Sequence, residues 1–100
     1  MMPEHLTRDS FAAQLNTKFR FGGGTEKMVE LELVEVQTHG EVTGQSERFS
    51  AFFRGPLDHF LPQSIYRMQH EALGDTEVFI VPIRQDSAGF YYEATFNRVT

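Results

Sequence analysis

The chain has 100 residues, 40% hydrophobic and 23% charged, enough for one domain with its own core. Its formal net charge of -5, with Arg54, Arg67, Arg84 and Arg98 scattered rather than clustered, argues against binding to nucleic acid or to an anionic membrane. The absence of cysteine excludes disulfides, thiolate metal sites and a cysteine nucleophile.

Residues 1–5 carry neither the basic nor the apolar region of a signal peptide and read as a flexible start. No window approaches the roughly 18 apolar residues of a membrane span, so a soluble cytoplasmic protein is expected. Residues 7–15 predict a short helix. Thr7 stands at the N-cap and Asp9 in the first turn, where the helix dipole favours a carboxylate. Leu6 and Phe11 have the spacing of a hydrophobic staple. Phe11 and Leu15 should share the buried face, with Asn16 as terminator.

Residues 18–21 predict a first strand with Phe19 and Phe21 on one face, followed by a turn at Gly22, Gly23, Gly24 and Thr25. Val29, Leu31 and Leu33 alternate with Glu30 and Glu32, as a half-buried strand requires. The alternation slips at Leu33 and Val34, which predicts a β-bulge. Residues 37–46 read as a polar loop. Phe49, Ala51 and Phe53 then share one face of a strand whose other face carries Ser50, Phe52 and Arg54. Pro56 and Pro62 bracket a segment expected to make one helical turn and to bury Leu57, Phe60 and Leu61. Strands follow over 64–68, 78–83 and 90–96, with turns near Gly74 and at 86–89. Residues 78–83 are apolar on both parities, which predicts a central strand covered on both faces, with a bulge at Pro82.

The expected fold is therefore mainly β. About six antiparallel strands form a meander curled into a small barrel or compact sandwich, with one short N-terminal helix and the one-turn helix between strands. Ten phenylalanines and no tryptophan supply the core volume.

No local pattern carries recognisable chemistry. The glycine run lacks the spacing and the following helix of a phosphate-binding loop, and no serine sits in a nucleophile elbow. The histidines His5, His39, His59 and His70 lack a chelating spacing. A metal site built from His59 and His70 would have to be assembled by the fold. Glu30, Glu32 and Glu35 fall on a solvated face. No cofactor is expected. The polar group Arg54, Gln63, Tyr66, Arg67 and Gln69 surrounds the proline-bracketed turn. There Gln63 can tie down the loop and Arg54 can pair with Glu71 or Glu93. Phe52, Tyr66 and Tyr91 are candidates for the outward parity of their strands. With Arg54, Gln63 and Arg67 they make the candidate partner-binding surface, since exposed aromatics and arginines are the anchors that interfaces favour.

Three runs carry a resemblance: Arg48-Phe49-Ser50-Ala51-Phe52-Phe53-Arg54-Gly55-Pro56, then Leu61-Pro62-Gln63-Ser64-Ile65-Tyr66, and Tyr92-Glu93-Ala94-Thr95-Phe96-Asn97. With Leu73-Gly74, the run from Val78 to Pro82 and the helix start at Leu6, they resemble a bacterial family of short domains of unknown function. The resemblance supplies no catalytic residue. It implies relatives encoded near phage-tail-collar-like fibre proteins, and hence an adaptor or assembly role. The expectation is a non-enzymatic interaction or structural protein with a protein partner or a homo-oligomeric state. The alternatives are a small-molecule-binding barrel lined by Phe19, Phe21, Phe49, Phe53, Phe90 and Phe96, and last an enzyme.

Overall fold

A computed structural model describes residues 6–23, 27–40 and 46–99. The helix is α1 (Arg8–Ala12), and the strands are β1 (Lys18–Gly22), β2 (Val29–Thr38), β3 (Ser46–Gly55), β4 (Ser64–His70), β5 (Gly74–Asp86) and β6 (Gly89–Val99). The expected flexible start, part of the glycine turn and residues 41–45 of the polar loop fall outside the described residues, while β2 runs on to Thr38 and β3 starts at Ser46, within the expected loop.

The strands close into an antiparallel barrel in the order β1-β2-β3-β6-β5-β4. The predicted meander is thus made twice, as β1-β2-β3 and β4-β5-β6, and the two halves join along β3–β6 and β1–β4. Closure gives every strand two neighbours, with long strands such as β2 and β5 bending so that one part pairs with each neighbour. Period-2 alternation fills the inside with Phe19, Phe21, Leu31, Leu33, Phe49, Phe53, Met68, Ile80 and Tyr92, all fully buried. Ala51 lies opposite Ala94, between the larger pairs Phe49–Phe96 and Phe53–Tyr92, and this small layer makes room for the rings.

Both predicted bulges are present. The β2–β3 register shifts between Leu33 and Glu35, which returns Val36 to the inner face opposite Ala51. The β5–β6 register shifts between Pro82 and Arg84, as the missing proline donor requires.

Each end of the barrel has a plug. At the end where β1 begins, α1 lays Phe11 against Phe19, Phe49 and Phe96, with ring centroids 6.0, 5.7 and 5.0 Å away. Leu6 is fully buried beside it, as the staple predicts. The helix is shorter than expected, because the chain turns after Ala12 and Asn16 takes a left-handed φ of 68°. Leu15 is left exposed rather than on the buried face. At the other end, residues 56–63 connect β3 to β4 across the mouth. They form a turn with a single bond from the His59 amide to the Pro56 carbonyl, not the expected helical turn. Only Leu61 is buried there, while Leu57 and Phe60 are exposed. The Leu61 amide donates to the Tyr92 hydroxyl instead of to a helical carbonyl, and Pro62 disfavours helical geometry at Leu61.

The expectation for 78–83 is corrected as well. Val78 and Ile80 point inward, but Phe79 and Ile83 are exposed, so the strand is covered on one face only.

Candidate functional site

The outer wall of the barrel follows from the strand registers. One row runs Lys18, Glu32, Arg54, Tyr91, Arg84 across β1, β2, β3, β6 and β5. Arg54 reaches Glu32 at 3.1 Å, and Lys18 reaches the same carboxylate oxygen at 3.6 Å. The expected pairing of Arg54 with Glu71 or Glu93 is replaced by Glu32, its direct cross-strand neighbour. Hydrogen bonding to Tyr91, aided by Glu32, holds the Arg54 guanidinium more firmly charged than usual. Arg84 lies 3.7 Å above the Tyr91 ring, which leaves Tyr91 only 8% exposed although it faces outward. The next row places half-buried Phe52 between Glu35 and Glu93.

A polar chain lies one row further. The Ser50 hydroxyl donates to Glu93 Oε2 at 2.6 Å, and His39 Nε2 is 2.6 Å from Ser50 Oγ. Thr95 Oγ1 is 3.3 Å away. Because the single serine proton goes to Glu93, His39 must hold its proton on Nε2 and donate it. A hydrolytic triad places the base between nucleophile and acid. Here the serine is in the middle and fully buried, so the chain reads as a cross-strand tie. The sequence placed Ser50 only on the strand face it shares with Phe52 and Arg54, since the chain depends on His39, just past β2, meeting β3 and β6.

The candidate surface is divided by strand parity. Gln63, just before β4, and Arg67, on its outward side, are both exposed. Tyr66 is not part of it. Its ring lies in the core at 7% exposure, and its hydroxyl donates to the Pro62 carbonyl at 2.6 Å. The Tyr92 hydroxyl accepts from the Leu61 amide at 3.0 Å, and burial raises its pKa. These two tyrosines tie down the connection that Gln63 was expected to hold. A tyrosine can bury its ring and still reach a backbone group at the rim.

Between Gln63 and Arg67 stands Ile65, directly opposite Phe79 of β5. Ile65 is 62% exposed, Phe79 49% and Ile83 43%, with half-buried Val81 continuing the strip. An open cleft of about 540 Å³ links this strip to Phe60 at the loop end, with His59 and Gln63 on its walls. His59 and His70 sit at opposite ends of the barrel, so the fold does not bring them together.

The chain matches a family model described as Domain of unknown function (DUF6916) over residues 6–96. It belongs to this family. The match takes in α1, β1 to β5 and most of β6, so the DUF6916 domain is the plugged barrel itself. No curated protein and no solved structure matches the chain.

Proposed function

We propose that this DUF6916 domain is a protein-binding module of accessory or assembly type, acting through the outer wall of β4 and β5 rather than through a reaction. The observation that carries this reading is the exposed pair Ile65 and Phe79, facing each other across two strands and extended by Val81 and Ile83. Contiguous apolar side chains on an outer sheet face are costly to leave in water, and their usual occupant is another protein. The resemblance to relatives encoded beside tail-fibre-like proteins suggests the specific form, a cytoplasmic adaptor in such an assembly. The inner phenylalanines argue against the ligand-binding alternative. Phe19 and Phe21 contact Phe53 at 5.2 and 5.0 Å, and Phe49 contacts Phe96 at 5.0 Å, so rings occupy the volume a ligand would need.

The test is affinity capture from native lysate with the full chain, with Ile65→Ser and with Phe79→Ser side by side. Specific binding partners should be retained by the wild type and lost from both variants. Equal recovery by all three would refute the reading.

A further inference from the structure

The register of β4 against β5 carries more than exposure. Its three outward rows are Ile65 opposite Phe79, Arg67 opposite Glu77, and Gln69 opposite Asp75. Each row joins complementary chemistries: apolar with apolar, cation with anion, and amide donor with carboxylate. Gln69 Nε2 already donates to Asp75 Oδ2 at 3.3 Å, whereas Arg67 and Glu77 take part in none of the ion pairs among the described residues. A two-fold axis running between β4 and β5, parallel to the strands, exchanges the two strands of a facing copy. It would set Ile65 on the second copy's Phe79 and Arg67 on the second copy's Glu77. A surface whose every row is its own complement under one rotation satisfies the condition for an isologous interface.

Resting on the reading of this face as a binding surface, we infer that the partner it fits is a second copy of this chain, packed wall to wall across β4 and β5. Residues 64–70 and 74–80 are paired to each other along their whole length, so a copy that faces this seam meets side chains rather than backbone. The ion pairs would lie beside the apolar row, partly shielded from water, and would fix register more than affinity. A few rows on a curved wall fall short of the roughly 1,200 Å² of a standard interface, so the dimer is weak and dissociates on dilution.

Sedimentation of the full chain over a micromolar-to-millimolar dilution series tests this, with melting curves to confirm that each variant is folded. The expected result is a monomer–dimer equilibrium that Phe79→Ser abolishes. Arg67→Glu and Glu77→Arg, each alone, should weaken it about tenfold or more by setting like charges face to face. An equimolar mixture of those two variants should recover dimers, because each then meets its opposite. The charge variants remain decisive if Phe79→Ser does not fold. A wild type that stays monomeric throughout would overturn the inference, as would a dimer indifferent to the charge variants. If that monomer still loses a lysate partner on Phe79→Ser, the face binds another protein, and only the self-pairing is refuted.

Discussion

His70 shows how closely a single side chain can be specified by its neighbours. Its Nδ1 accepts from the amides of Ala72 and Leu73 at 3.0 and 3.2 Å, so that nitrogen carries no proton. Nε2 carries it and donates to Thr17 Oγ1 at 2.9 Å, and the Thr17 hydroxyl donates to the Gln14 carbonyl at 2.7 Å. Burial against Phe19, helped by Arg20, lowers its pKa below the ordinary 6.5 despite the opposing pull of Glu71. The unfolded chain therefore binds this proton more readily than the folded one. Stability from His70 is complete above about pH 6.5 and falls as the pH drops below that value toward the lowered pKa of the folded state. The expected outcome is that urea denaturation of the wild type shows this acid slope near pH 6. His70→Ala should flatten the slope and cost about 2–3 kcal/mol at neutral pH through the orphaned amides. A second expectation concerns Gly89. A Cβ there would run into the Gly55 carbonyl oxygen, so Gly89→Ala should lower the melting temperature, with a loss of about 2–4 kcal/mol. Neither residue's role was legible in the sequence, where His70 was one of four histidines without a chelating spacing and Gly89 one turn residue. The Ala72 and Leu73 amides are local to His70, but its Thr17 and Phe19 contacts, like the approach of Gly89 to Gly55, join segments far apart in sequence.

Among the elements, α1 was the most legible because its signals are local. Thr7 caps the helix and accepts from the Ser10 amide at 3.1 Å, and Ser10 Oγ accepts from the Thr7 amide at 2.8 Å, a reciprocal capping box. The contact of Phe11 with three other rings is a tertiary matter and much larger. Thr7→Ala should cost about 1 kcal/mol, and Phe11→Ala about 3–5 kcal/mol by opening the barrel end; chemical denaturation of the two variants gives the ratio. A Phe11→Ala cost no greater than that of Thr7→Ala would mean the helix is not a plug. The bulges at Val34 and Pro82 were also readable, each from a break in alternation or a missing donor. The misreadings share one cause. For 56–63 and 78–83 the apolar content was plain, but whether a side chain faces core or water is set by partners distant in sequence. Phe60, for example, packs on Phe90 at 5.0 Å and still remains exposed.

At the scale of the whole molecule, the barrel class could be inferred from six alternating strands, but its closure could not. Nothing local dictates that β3 pairs with β6 and β1 with β4, and those pairings build the outer rows. The exposed pair Ile65 and Phe79 belongs to the β4–β5 hairpin, and it was missed because residues 78–83 read as covered on both faces, whereas Phe79 faces out. The resulting division of labour is simple. The interior rings hold the fold, and the β4–β5 wall carries exposed apolar side chains. Phe79→Ser should accordingly leave the unfolding free energy within about 0.5 kcal/mol of wild type, as is usual for an exposed position, in a urea titration of dilute protein. The most direct measurement compares backbone amide spectra of the isotope-labelled full chain when dilute with those at high concentration and in native lysate. The expected result is selective broadening or shifting at Ile65, Arg67, Glu77, Phe79 and Val81, absent in Phe79→Ser. Unchanged resonances along β4 and β5, or changes confined to core positions such as Phe19, Phe53 and Phe96, would contradict the account.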